Sequence, residues 1–214
     1  MGRALTSGVA GRNAEHMEGH PWLAATMDWT MRSLYPARRE VVPEATGRVL
    51  EVGVGTGLNF GLYGDIDELI GIEPDPHMLE RARKRTDEVG RPVSLHQVGA
   101  ERMPFEDQSF DTVVLTFTLC TIPDVAAALA EMRRVLRREG RLLFVEHTRS
   151  KQRGLARVQD VLTPVWKLVG GGCHLNRPAP DLIRRHGFEV PEVRAVWRDT
   201  WTLLPVYRGV ALRA

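Results

Sequence analysis

"VLEVGVGTGLNF", residues 49–60, sets three glycines on alternate positions, Gly53, Gly55 and Gly57, behind a run of strand-forming residues that includes one carboxylate, Glu51. A strand buried on both faces reads as a near-continuous apolar run, and glycine lets a backbone turn tightly and approach a ligand closely. The stretch predicts the first strand and first turn of an open α/β sheet, where ligands bind at the carboxyl ends of the strands. Three ligand classes compete for the turn: a dinucleotide, a nucleotide phosphate, and a nucleoside carrying no phosphate.

Outward from this stretch the chain alternates strands and helices. "GRVLEV" (47–52), "ELIGIE" (68–73), "PVSLHQV" (92–98), "FDTVVLTF" (110–117) and "RLLFVEH" (141–147) predict five buried strands. "LNFGLYG" (58–64) predicts a short helix, and Asp75-Pro76 has the N-cap and first-turn chemistry that starts a helix through about Val89. Pro123 and Asp124 open another, with an apolar stripe at Val125, Leu129, Met132 and Leu136, ended by Glu139 and Gly140. Such alternation gives a mostly parallel sheet with helices on both faces. Before it, residues 1–20 read as a loose arm and "PWLAATMDWTMRSLY" (21–35) as one helix with Leu23, Met27, Thr30 and Leu34 near one face. After it, "LARVQDVLTPVWKLV" (155–169) reads as an amphipathic helix that runs into "GGGCH" (170–174), followed by a short helix near 179–187. Two terminal strands near 189–198 and 203–212, joined by a tight link, pair antiparallel at one sheet edge.

A chain of 214 residues suffices for one α/β domain, and 43% hydrophobic with 26% charged residues and a net charge of +2 is ordinary globular composition. The arginine clusters "RARKR" (81–85) and "RRVLRR" (133–138) fall on helices and read as solvated faces, so no nucleic-acid partner is expected. Cys120 and Cys173 lie far apart, with neither a disulfide framework nor a metal-type spacing; a reducing, cytoplasmic setting without a metal is expected. No apolar run reaches the roughly 18 residues of a membrane span, which leaves peripheral membrane contact open.

The neighbours of the glycines discriminate among the ligands. A dinucleotide fingerprint needs G-x-G-x-x-G, but the third glycine comes one residue early and Leu58 holds that place; no Gly-Lys-Ser/Thr follows for a P-loop. Glu51, just before the turn, would repel a pyrophosphate and attract the amino group of an amino-acid ligand. Glu73 lies 20 residues after Gly53 at the end of the second strand, where a carboxylate accepts hydrogen bonds from both ribose hydroxyls. A nucleoside joined to an amino acid satisfies all three, and S-adenosylmethionine is such a molecule.

The same residues resemble the class I S-adenosylmethionine-dependent methyltransferases. "VLEVGVGTG", "GIEPDPHML", "AERMPFEDQSFDTVV" and "LRREGRLLFVEH" carry the likeness over about residues 47–147. It implies a Rossmann-like seven-stranded sheet with an antiparallel last strand, divided into an N-terminal arm and lid helix (1–46) and a cofactor-binding domain (47–214) with a substrate cap near 150–180. It further implies that Gly53, Gly55 and Gly57 pass under the cofactor's methionine portion and Glu73 binds ribose. Pro74 would pack on adenine, Ala100 and Glu101 would line its amino edge, and Thr116 joins the cofactor set. Many relatives have an aspartate where this chain has Gly99.

Beyond the central region, "TLCTIPD" (118–124), "VEHTRS" (145–150) and "TPVWKLVGGGCHLNR" (163–177) resemble the small thiol S-methyltransferases, which implies methyl transfer to a small, lipophilic thiol. "LTFTLCTIP" (115–123) stands where base-methylating enzymes carry an Asn-Pro-Pro-Tyr-like motif, which argues against nucleic-acid bases. A thiol has an ordinary pKa near 8.5, so a modest shift yields thiolate, and His147 and His174 are the candidates to take its proton. Cys173 is a candidate substrate-lining residue. Trp22 and Trp29 lie on the helix that in this family closes over the site, and are candidates for an apolar substrate wall. Two other readings stay open: a lipid-amine or quinone-carbon methyltransferase, and a noncatalytic module that binds the cofactor.

Overall fold

A computed structural model describes residues 21–89, 92–196 and 203–214. The arm at 1–20 and most of the link between the terminal strands lie outside the described residues, as do the side chains of Leu23, Met27 and Thr30.

In chain order the elements are α1 (Pro21–Thr30), α2 (Tyr35–Arg39), β1 (Arg48–Val52), β2 (Glu68–Ile72), α3 (Pro76–Val89), β3 (Val93–His96), β4 (Phe110–Thr116), α4 (Val125–Val135), β5 (Leu136–His147), α5 (Arg153–Val169), α6 (Ala179–Arg185), β6 (Phe188–Ala195) and β7 (Val206–Arg213). They form one seven-stranded sheet in the order β3-β2-β1-β4-β5-β7-β6. β1 pairs parallel with β2 and β4, β2 with β3, and β4 with β5. β7 runs antiparallel between β5 and β6, as expected of the last strand. Strand order reverses at β1, so the turn after β1 sits at the switch point where ligands bind. Val49, Leu50 and Val52 are at most 1% exposed, and their alternation feeds two apolar cores, one on each sheet face.

The caps form as the local chemistry requires. Asp75 Oδ1 accepts from the backbone amides of His77 and Met78, and Asp124 Oδ1 from Ala127. Four expectations are corrected. The helix expected over 21–35 ends at Thr30 and continues as a 3₁₀ turn at Arg32–Leu34 before α2. The helix expected at 58–64 is only a 3₁₀ turn, Phe60–Leu62. α4 stops at Val135, and Leu136 turns extended to pair with Phe110, so Arg137–Gly140 belong to an irregular start of β5, where the register shifts against β4. The last strand begins at Val206, with ten residues between it and the end of β6 at Ala195, so the connection is longer than a tight link. No helix among the described residues is long and apolar enough to cross a membrane.

Candidate active site

The turn after β1 is built around glycine. Gly53, Gly55 and Gly57 all have positive φ, where side chains are strained. A Cβ at Gly53 would lie 2.3 Å from Thr118 and one at Gly57 2.5 Å from the Phe60 ring, so both are packed against the protein. At Gly55 nothing lies within 4 Å of that position, which leaves a bare backbone facing open space. Glu73 walls the same space: Oε2 accepts from the Gly55 amide at 2.9 Å and Oε1 from the Asp75 amide at 3.0 Å. Pro74 is half-buried beside it, and Ala100 is buried. A Cβ at Gly99 would stand 2.7 Å from Glu101 Oε2, so the side chain of Glu101 fills the room that an aspartate at 99 would need.

Under the turn lies a buried polar network that joins four elements. Glu51 is 1% exposed; Asn59 Nδ2 and the Tyr63 hydroxyl donate to its two oxygens, both at 2.8 Å. Thr116 Oγ1 accepts from Asn59 Nδ2 at 2.9 Å and from Arg38 Nη1 at 2.7 Å, and Arg38 also reaches Asn59 Oδ1 at 3.0 Å. Glu51 and Thr116 therefore brace the turn from below. A ligand's ammonium would have to exchange with one of the Glu51 partners to touch it. The Arg38 guanidinium lies 5.2 Å from the Phe117 ring, and Phe117 holds a left-handed backbone (φ 56°) that a bulky residue adopts only when its surroundings impose it.

Burial pushes the carboxyls of Glu51 and Glu73 up to about 7 each, against the hydrogen bonds they accept. Such an acid holds its proton in the folded chain from its ordinary 4.5 up to about 7, while the unfolded chain loses it. Stability is thus highest on the acid side of that window, falls as pH rises through it, and levels above. The ligand-free chain should lose roughly 3 kcal/mol per carboxyl between about pH 5 and about pH 8. Urea unfolding across that range checks this, and Glu51→Gln should flatten the slope.

α1 is tied to the turn from the other side. Thr56 Oγ1 donates to Asp28 Oδ1, and Arg85 bridges Asp28 Oδ2 (2.7 Å) and the Thr56 carbonyl (2.9 Å). Trp22 and Trp29 on this helix are 52% and 77% exposed and enter neither apolar core.

At the carboxyl ends of β4 and β5 the chain gathers two cysteines and a histidine. His147 Nε2 lies 3.2 Å from Cys173 Sγ, and one ligating atom each from Cys120, His147 and Cys173 all fall within 4.8 Å of one another. Gly171 and Gly172, both at positive φ, reverse the chain after α5 and lay Cys173 against His147. The Cys120 turn is held on several sides. Glu146 Oε1 accepts from the amides of Thr118 (2.7 Å) and Leu119 (3.0 Å), and Arg177 Nη1 donates to the carbonyls of Leu119 (2.6 Å) and Ile122 (2.7 Å). The His174 amide donates to the Cys120 carbonyl at 2.9 Å, with ring Nδ1 3.1 Å from the same oxygen. His174 therefore positions this turn, whereas His147 faces the sulfurs. Sharing a hydrogen bond with Cys120 lowers the Cys173 thiol to about 5 and raises that of Cys120. Burial works against a charged His147, but the Cys173 sulfur and the Glu146 charge outweigh it and hold the imidazole above its ordinary value.

α5 stands over this cluster with its polarity inverted. Its inward face carries Ala156, Gln159 and Thr163, and the Gln159 amide bonds to the backbone of Thr148, Ser150, Leu175 and Leu203. The outward face carries Val158, Val161, Leu162, Val165, Trp166 and Leu168, all at least 42% exposed.

The chain matches the family model described as "Methyltransferase domain" over residues 50–144. A human thiol S-methyltransferase, TMT1A, is 32% identical over 184 residues, which cover 80% of this chain and 72% of that protein. The chain belongs to the class I S-adenosylmethionine-dependent methyltransferases. Its cofactor is S-adenosyl-L-methionine. A phosphatidylethanolamine N-methyltransferase of Cereibacter sphaeroides is 42% identical over 126 residues, 58% of this chain and 62% of that protein. The chain spans 57–62% of the length of several such curated relatives. Among solved structures, a methyltransferase of Thermotoga maritima titled a possible histamine N-methyltransferase aligns with a TM-score of 0.64 and 25% identity, covering 91% of this chain and 99% of that one.

The fold brings Gly55, Glu73, Glu51 and Thr116 to one end of β1, β2 and β4, and His147 and Cys173 to the neighbouring strand end. It does not place the two tryptophans in the core, nor His174 among the sulfurs. The sequence reading missed Arg38, Asn59, Glu146 and Arg177. Arg38, in "PARRE", carries no local mark that separates it from Arg39.

Proposed function

We propose that this methyltransferase acts on the thiol of a small, lipophilic molecule. The cluster of Cys120, His147 and Cys173 beside the cofactor turn is the observation that carries the reading: its soft, polarisable groups suit a sulfur acceptor better than a hydroxyl or a charged amine. The likeness to TMT1A supports it. The exposed apolar face of α5, and Trp22 and Trp29 on α1, suit a lipophilic acceptor.

In this reading the bare backbone at Gly55, with Gly53 and Gly57 shaping the turn, carries the cofactor's methionine portion. Glu73 binds the ribose, Pro74 and Ala100 flank the adenine, and Glu101 meets its amino edge. The unobstructed backbone at Gly55 and the Glu73 carboxylate beside it are the kinds of group that such a molecule needs. When bound, S-adenosylmethionine supplies a methyl group whose bond to the sulfonium breaks as its bond to the acceptor sulfur forms. The residues align the acceptor and keep water out, which is most of what a displacement of this kind requires. His147 Nε2 and Cys173 Sγ, sharing a proton 3.2 Å apart, receive the proton of the entering thiol.

Mass spectrometry of matched thiol, alcohol and amine acceptors, incubated with the chain and S-adenosylmethionine, tests the reading. A methyl gain confined to thiols is expected, and His147→Ala should slow it by about 10²-fold while cofactor affinity stays within about threefold. Methylated amines or alcohols beside an untouched thiol would sink it. The likeness to the phosphatidylethanolamine enzyme favours a second reading, a lipid amine acceptor, so phosphatidylethanolamine vesicles form a further arm. Cofactor binding with no acceptor modified would favour a noncatalytic module.

A further inference from the structure

We propose that Cys120, His147 and Cys173 form a zinc site with an open fourth position. Two thiolates and an imidazole are the ligand set of catalytic zinc, and their softness disfavours magnesium and calcium. With Zn–S near 2.3 Å and Zn–N near 2.0 Å, two sulfurs and one nitrogen in a tetrahedral site stand about 3.5–3.8 Å apart. The three atoms already lie within 4.8 Å of one another, and the His147 Nε2 to Cys173 Sγ separation is 3.2 Å. Closing on an ion therefore requires side-chain shifts of about an ångström.

The surroundings hold the two cysteines in place. Cys120 rides on a turn fixed through Glu146, Arg177 and His174, so its sulfur is positioned before any ion arrives. A Cβ at Gly170 would be 2.7 Å from the Trp166 indole nitrogen, so glycine there makes room for that ring at the reversal that leads to Cys173. His147 Nε2 is the nitrogen directed at the sulfurs, and Nδ1 is buried without a partner among the described residues, so packing rather than a hydrogen bond orients the ring. Cys120 and His147 are buried and Cys173 is half-buried, so the open side of the site lies at Cys173.

The fourth position takes water or an exogenous sulfur. In the loaded chain His147 Nε2 and Cys173 Sγ are ligands and no longer take the proton; an acceptor thiol would bond to the ion through sulfur, displacing water, as its S–H bond breaks and the proton leaves to solvent. That step alone rests on the thiol reading; the site itself does not.

The test uses the full chain, purified with a phosphine reductant and with both thiols verified free by alkylation and mass spectrometry. After incubation with zinc or cobalt(II) and desalting, elemental analysis should find one ion per chain. The cobalt form should show the thiolate-to-metal charge-transfer band and intense visible bands of a four-coordinate site. Cys120→Ser, His147→Ala and Cys173→Ser should each weaken zinc binding at least tenfold in a chelator competition while unfolding cooperatively. Less than a tenth of an ion per chain with free thiols, or full occupancy in the Cys120→Ser/Cys173→Ser double variant, would overturn the site. Adding an acceptor thiol should shift the charge-transfer band. A stoichiometric ion with no such shift overturns the sulfur's use of the fourth position and leaves the site standing, and thiol methylation is scored separately.

Discussion

Replacing Glu73 with alanine is expected to raise the dissociation constant for S-adenosylmethionine by at least about 100-fold. The carboxylate does two things at once. It holds the Gly55 amide at 2.9 Å and the Asp75 amide at 3.0 Å, keeping the turn and the entry to α3 in place. In the proposed function it also offers its remaining lone pairs to the ribose, from a position only 8% exposed, where water competes poorly. Hydrogen bonds to a charged group contribute about 1.5–3 kcal/mol each, so two to the ribose account for the effect before any loosening of the turn. Glu73→Gln keeps the shape and one acceptor oxygen and should cost about tenfold. Isothermal titration measures both, with unfolding curves confirming the fold; an alanine variant that binds within about threefold of the parent chain removes Glu73 from the ribose site.

Arg38→Met should lower folding stability by about 3–5 kcal/mol, measured by urea unfolding at neutral pH. The guanidinium is 7% exposed and donates to Asn59 and Thr116, and the charges of Glu51 and Glu146 favour its charged form against the burial that disfavours it. Removing it leaves the acceptor oxygens of Asn59 and Thr116 short of a donor in a site without water access, and raises Glu51 further, since the Arg38 charge is one of the influences holding that carboxyl down. The downward slope of stability with pH should therefore extend to higher pH in this variant. Arg38→Lys keeps the charge but loses the planar fork that spans Asn59 and Thr116, and should recover only part of the loss. A methionine variant as stable as the parent would mean that the network contributes only to the shape of the turn.

The two effects differ in how far the sequence discloses them. Glu73 is legible because its distance from Gly53 follows from the length of one turn and one strand, and both can be read from local pattern. Arg38 is not, because its partner Thr116 is 78 residues away and becomes a neighbour only when α2 packs beneath β4. The same holds for His147 and Cys173, 26 residues apart and joined by the path of α5 and its glycine reversal. Their spacing matches no metal or redox motif. The exposed face of α5 was likewise illegible: the sequence marks the helix as amphipathic, but only the bonds of Gln159 reveal that the polar face is the inward one.

By itself the sequence determined the alternation of strands and helices, the switch-point turn and the class of cofactor, because each rests on short-range regularities: apolar runs, caps, and glycines spaced along a few residues of backbone. The tertiary structure alone decided which titratable and sulfur-bearing side chains share a pocket, which histidine faces the sulfurs, and which arginine is buried. Those outcomes depend on strand order and on the packing of elements remote in the chain, and no local periodicity encodes them.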